Sequence, residues 1–352
     1  MSPLAEVPNG AHRRMRWSRP LARAYSRVTA GPGSILCFHS ITSDPMDAGA
    51  AHVAARTLRM AVDAARDAGT LVPLRELVSR HQQGRSTRGL TALTFDDAYA
   101  ALLSPDVAFL RTENIPVTVF VTTDAAETGS AFWWDRVDEL FMRAPRERWQ
   151  AFERACGLPD AFRNGQPPHF GPLRPLRQWM LHAYRGRSPA HVDEALAKLE
   201  AELGFRTAQR TMTFAELAAF AASPAVDLAV HTCSHPVLPL LADEELATEV
   251  AGCYATLRER FPNTVPVLAA PFGLFDARSI TVARRAGMQA TLTLAGRTLH
   301  GALGEDCLPR FCMCAGETEW KLLLRLAGLM ERWHSWRDGP GPAFPDLPSA
   351  ST

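Results

Sequence analysis

Apolar and polar positions along this chain switch between two periods in regular succession. The runs SILCFHS (34–40), LTALTF (90–95), IPVTVFVTT (115–123), VDLAVH (226–231), VPVLAAPFG (265–273), MQATLTLAG (288–296) and LPRFCMC (308–314) are short and apolar, and they predict strands. Helical repeats lie between them. In AARTLRMAVDAARDAG (54–69), Leu58, Val62 and Ala65 share one face and Gly69 stops the run. In DEELATEVAGCYATLRERF (243–261), Leu246, Val250, Tyr254 and Leu257 face inward, and Glu244 and Glu245 suit the first turn. DARSITVARRAG (276–287) and ETEWKLLLRLAGLMERW (317–333) read in the same way. Residues 132–223 hold mostly helical patterns and no strand candidate, which predicts an insertion.

Six or seven strand–helix units predict a parallel sheet, and that number favours closure into a (β/α) barrel. A barrel carries its chemistry at the C-terminal ends of its strands. The residues to inspect are therefore the polar ones directly after the apolar runs: His39, Asp96 and Asp97, His231 and His235, and those around Pro271 and Arg310. The expected organisation is an Arg-rich lead-in over 1–32, one domain over 33–335 with a helical insertion at about 132–223, and a Pro/Gly/Ser-rich disordered tail over 336–352.

Composition changes this picture little. The 352 residues are 47% hydrophobic and 21% charged, an ordinary globular balance, and the formal net charge of +1 gives no global field for nucleic acid. Seven cysteines, an odd number without a CxxC pair, read as buried thiols in a reducing compartment, with Cys312 and Cys314 the one spacing that could hold a metal or a redox pair. No run of about 18 apolar residues spans a membrane. The first 31 residues lack a secretory core and carry six arginines against the single acid Glu6. They read as a packed lead-in helix, a contact with an anionic membrane through residues 13–28, or a transit peptide. The expected location is cytoplasmic.

The candidate chemistry starts with Asp96 and Asp97, two adjacent carboxylates at a strand end that resist joint ionisation. His231 and His235 follow another strand four residues apart. Two histidines and a carboxylate form a common three-ligand set for catalytic zinc, and Asp97 is the natural third member. A cation there would keep Asp97 ionised and leave Asp96 free as a general base. Taken alone, each feature has a plainer reading: a capping acid pair, a hydrogen-bonded core histidine, and, for Trp133 and Trp134, helix packing in place of stacking on sugar rings.

In order along the chain, LCFHSI, LTFDDAYA, IPVTVFVTT, FWWDRV, HTCSHP, APFG and LPRF resemble the polysaccharide deacetylase (NodB-homology, carbohydrate esterase family four) family over roughly residues 33–315. The resemblance implies a distorted (β/α) barrel and metal-dependent removal of N-acetyl groups from an amino-sugar glycan, either a polysaccharide or a lipid- or nucleotide-linked precursor. It implies Asp96 as base and Asp97, His231 and His235 as ligands of a divalent metal, with Zn2+ first and Co2+, Ni2+ or Mn2+ possible. It offers two general acids, His39 at a strand end and His300 in TLHG, of which His39 is preferred. Two departures stand out: Ala98 follows the acid pair where the family shows glycine, and no arginine precedes the proline of APFG. Arg310 is the candidate for that missing charge beside Asp96. Alternative functions are hydrolysis of another amide, such as a formyl group, and a non-catalytic glycan-binding relic.

Overall fold

In a computed structural model, residues 31–42, 52–159, 174–301 and 306–329 are described. The Arg-rich segment 13–28 and the tail 336–352 lie outside the described residues. One parallel sheet organises the chain. Its strands are β1 (Ser34–Phe38), β4 (Thr70–Leu71), β5 (Leu90–Phe95), β6 (Val117–Val121), β7 (Val226–Val230), β8 (Val265–Ala269), β9 (Ala290–Thr293), β10 (Cys307–Pro309) and β11 (Phe311–Cys312). A separate two-residue pair joins β2 (Ile41–Thr42) to β3 (Val53–Ala54). The order across the main sheet is β10-β9-β8-β7-β6-β5-β1-β11, with β4 added to β5.

The two ends of that path are one stretch of chain. Residues 307–309 pair with β9, residues 311–312 pair with β1, and Arg310 sits at the change of partner. Around it, Arg310 N–H donates to Thr293 O (2.9 Å), Gly296 N–H donates to Arg310 O (3.0 Å) and Met313 N–H donates to Cys37 O (2.8 Å). The sheet is thereby nearly closed into a (β/α) barrel, as the alternating pattern predicts, with the distortion that the family resemblance implies.

Strand side chains alternate between two apolar layers. Leu36, Leu93, Val119, Leu228 and Leu268 point outward against the helices Ala55–Ala68, Asp243–Arg260 and Glu319–Leu326, which present Leu58, Val62, Leu246, Val250, Leu322 and Leu323. Ile35, Ala92, Phe120, Ala229, Val267, Leu292 and Leu308 fill the barrel interior. Continuing the inward parity by two residues per step leads to Cys37 and His39, Thr94 and Asp96, His231, Ala269, and Arg310. Parity alone therefore brings most candidate polar groups to one rim.

Between β6 and β7 the described chain is helical, from Thr123–Thr128 to Phe214–Phe220. The insertion has its own apolar cluster, including Trp133, Leu140, Trp149, Phe152, Leu196 and Leu199. In the helix Asp243–Arg260 the inner face differs from expectation at two places. Tyr254 is half-buried, whereas Cys253 and the acid Glu249 are buried.

The helix Phe214–Phe220 opens on a capping box in which Thr213 Oγ1 accepts from Glu216 N–H and the Glu216 carboxylate accepts from Thr213 N–H. Arg210 also donates to both Glu216 oxygens at 2.8 and 2.6 Å. The Arg210 bonds and the Thr213 contacts hold the Glu216 carboxyl at about 2, against an ordinary 4.5. Because the folded value lies below the unfolded one, this stabilisation is complete above the ordinary value and is lost as pH falls toward 2. Glu216→Gln, which can keep the capping box but loses the charge facing Arg210, is expected to lose up to about 1 kcal/mol at pH 7 in urea unfolding. The gap to wild type should narrow as the pH is lowered below 4.5.

Candidate functional site

The rim formed by the ends of β1, β5, β7 and β10 gathers His39, Asp96, Asp97, His231, His235 and Arg310. Asp96 follows the inward parity of β5, whereas its neighbour ought to face outward. Asp97 escapes that outcome because its backbone turns left-handed (φ 66°), as does that of Ala98 (φ 50°). This is the position where the resembled family shows glycine, which adopts such a φ freely. Ala98 carries a methyl group there, buried at 1% exposure, and a left-handed alanine costs roughly 1–2 kcal/mol.

Asp97 Oδ1 lies 3.4 Å from His231 Nε2 and 3.2 Å from His235 Nε2, and all three residues are buried. Neither contact has hydrogen-bond geometry, so Asp97 Oδ1 is a buried carboxylate oxygen without a hydrogen-bond partner. His231 Nδ1 is 2.9 Å from Ala269 O; donating there, it turns Nε2 toward Asp97 as a lone-pair donor. Asp97 Oδ1 stands about 3.3 Å from each imidazole nitrogen, and the three donor atoms lie within 4.8 Å of one another, a spacing that suits bonds of about 2.0–2.2 Å to a shared ion. The residues fit a divalent cation, and among the described residues they form one of two such Asp/His/Cys groups. Burial would raise the Asp97 pKa, but the two imidazoles outweigh it and hold the carboxyl well below its usual range. Burial pulls the His235 pKa down, whereas for His231 the neighbouring Asp97 and Asp96 overcome burial and raise it.

Asp96 is held separately. Arg310 donates Nη1 to Oδ1 and Nη2 to Oδ2, both at 2.7 Å, with the arginine at 0% and the aspartate at 2% exposure. Burial would raise the Asp96 pKa, yet the Arg310 charge dominates and brings it to about 2. Arg310 also lies over the Phe120 ring at 5.4 Å. The closing strand thus places a buried positive charge beside Asp96. The Cys37 thiol donates to Asp96 Oδ2 at 3.4 Å, and His39 Nε2 lies 3.9 Å from the same oxygen. These three residues form the second group of potential ligands. Burial lowers the His39 pKa despite the carboxylates beside it.

His300 is elsewhere. It is exposed in the turn Leu299–Gly301, and Leu299 N–H donates to Gly33 O before the start of β1. That is the opposite end of the barrel from His39. Cys312, at the end of β11, and Cys314, two residues beyond it, have their sulfurs 4.0 Å apart.

Several residues at the site escape the strand-end reading. Phe132, Trp134 and Phe272 pack on the His235 ring with centroids 5.5, 4.7 and 4.4 Å away. Trp134 Nε1 donates to Tyr99 Oη (3.2 Å), which donates to buried Asp135 (2.6 Å), itself paired with His52 at 3.1 Å. The insertion touches the rim again where it returns. Trp133 Nε1 donates to Gly186 O, and at Gly186 (φ 82°) a Cβ would meet the Phe272 ring at 2.6 Å. The sequence signal for these contacts is faint: aromatic residues in a helical run usually mean packing.

The family model for polysaccharide deacetylase matches residues 191–291, a span that includes His231, His235 and APFG but neither Asp96 nor Asp97. No curated protein matches the chain. Similar solved structures include the Streptococcus pyogenes deacetylase PplD in complex with acetate, at 15% identity and TM-score 0.54 over 85% of this chain and 99% of that one. IcaB from Ammonifex degensii has 14% identity and TM-score 0.54 over 84% and 97%. A de-N-acetylase from Aggregatibacter actinomycetemcomitans has 14% identity and TM-score 0.51 over 83% and 99%. These likenesses establish the fold as the distorted barrel of the NodB type.

Removing one partner of a buried ion pair leaves an uncompensated charge. Arg310→Gln is expected to destabilise by about 3–5 kcal/mol in denaturant unfolding. Adding Asp96→Asn should restore a large part of that loss, because the orphaned carboxylate is removed. Additive losses in the double variant would count against the pair.

Proposed function

We propose that this chain, which is of the polysaccharide deacetylase type, is a metal-dependent hydrolase that removes N-acetyl groups from an amino-sugar glycan. The observation that carries the reading is the division between the two acids: Asp97 faces two histidines, and Asp96, one residue away, faces Arg310.

Asp97, His231 and His235 are the residues that would hold the cation. When bound, a divalent ion supplies Lewis acidity, polarising the acetamide carbonyl and making water more acidic. Asp96 is assigned as the base. A carboxyl held at about 2 stays ionised near neutral pH and is free to accept a proton from the attacking water. Arg310 keeps this carboxylate ionised and fixes the position of both oxygens. His39 is assigned as the acid. Its lowered pKa leaves it neutral near pH 7, and its Nε2 is 3.9 Å from Asp96 Oδ2. A proton taken by Asp96 thus has a short route to His39 and from there to the departing nitrogen. Water adds to the carbonyl carbon, the C–N bond breaks, and acetate and a free amine leave. The placement of His39 on the rim and of His300 at the far end supports this assignment. The aromatic residues around His235 suit an apolar sugar face and an acetyl methyl group.

Metal-loaded protein incubated with N-acetylated oligosaccharides should release acetate. Asp96→Asn and His39→Ala are each expected to lower the rate about a hundredfold or more. His231→Ala should abolish activity together with metal uptake, and His300→Ala should leave the rate at the wild-type level. Full activity in Asp96→Asn would refute the assignment of the base.

A further inference from the structure

The loop between β7 and the helix Asp243–Arg260 carries both histidines, and its backbone is strained. Thr232 (φ 68°) and His235 (φ 57°) are both left-handed, a conformation that persists in such residues only when the surroundings hold it. Three successive amides in the loop are held. Glu249 Oε2 accepts Cys233 N–H and Ser234 N–H, each at 2.9 Å, and Thr232 Oγ1 accepts His235 N–H at 3.0 Å. Glu249 Oε1 takes the Ser234 hydroxyl at 2.6 Å.

Glu249 is 8% exposed and stands on the inner face of its helix beside Leu246, Val250 and Cys253. An acid on an apolar face needs a counter-charge. That charge is Arg187, which comes from the turn between the insertion helices Arg174–Ala183 and Ala190–Leu203. Its Nη2 donates to Glu249 Oε1 (2.9 Å), its Nε to Ser234 Oγ (2.8 Å) and its Nη1 to Glu245 Oε1 (2.6 Å). Nearby, Val237 N–H donates to Arg185 O at 2.7 Å.

We propose that Glu249 is a positioning residue for the two histidine ligands and that Arg187 couples the helical insertion to metal affinity. The inference rests on the metal reading of Asp97, His231 and His235. Glu249 touches neither the ion nor the substrate. It fixes the backbone between His231 and His235, and so the separation and orientation of their rings. Arg187 supplies the opposite charge beside that carboxylate and fixes its direction. A shift of the insertion would therefore be felt at the ligands before any substrate contact changed.

The test is Zn2+ affinity, measured by competition with a chromophoric chelator, in wild type, Glu249→Gln and Arg187→Gln. Visible absorption of the Co2+-loaded proteins reports ligand geometry. Glu249→Gln keeps the shape but loses one accepting oxygen. It is expected to bind Zn2+ about 10–100-fold more weakly, the usual size of an outer-shell loss, with an altered Co2+ spectrum. Arg187→Gln should move both readouts in the same direction by less. Folded variants that bind within twofold of wild type and give its Co2+ spectrum would overturn the inference while leaving the metal reading intact. A wild type that takes up neither ion would overturn both. If Glu249→Gln does not fold, Arg187→Gln decides on the same terms.

Discussion

The Arg310–Asp96 pair is the contact on which the other features of this molecule depend. It lies where the strand segment 307–312 changes partner from β9 to β1, so one ion pair sits at the seam of the barrel and at the centre of its polar rim. A buried ion pair adds little net stability, because desolvating both charges offsets their attraction. Its importance is conditional: each partner is tolerable inside only while the other is present. The charge state of Asp96 and the closure of the sheet are therefore one requirement.

Around that pair, the site is built by breaking strand geometry at chosen residues. Parity delivers His39, Asp96, His231 and Arg310 to the interior end of the barrel. The left-handed residues Asp97, Ala98, Thr232, His235 and Phe272 then bend the loops so that groups off parity reach the same place. Such conformations cost free energy, and the surroundings hold them through the Glu249 carboxylate, the Thr232 hydroxyl and the aromatic packing on His235. The alanine at position 98 shows that the turn depends on its context and not on a glycine.

Much of this was legible from the sequence, for identifiable reasons. Seven apolar runs mark the main strands, and the rule that chemistry follows strand ends picks out His39, Asp96, Asp97, His231 and His235 directly. Arg310 stands out as a charge within the last apolar run, and the family resemblance suggests Asp96 as its neighbour; what the sequence hides is the route, one segment that pairs with both sheet edges. Loop routes were less readable. TLHG looks like a rim motif until Leu299 is seen bonded to Gly33 at the barrel's other end. Glu249 was hidden because an acid in an amphipathic helix normally faces water. The available sign was its place among Leu246, Val250 and Cys253, where a carboxylate is out of pattern.

The seam also sets an order of events during synthesis. The edge of β1 that receives β11 waits from residue 38 until residue 311 has been made. At roughly 5–20 residues per second, that wait is on the order of 15–50 seconds. For this interval a nascent chain carries an open strand edge, the kind of surface that recruits chaperones or pairs with neighbouring chains. Asp96 likewise has no counter-ion until Arg310 is made. The last strand therefore acts as a late step on a ribosome-bound chain: Asp96 gains its buried partner only after residue 310 has been made.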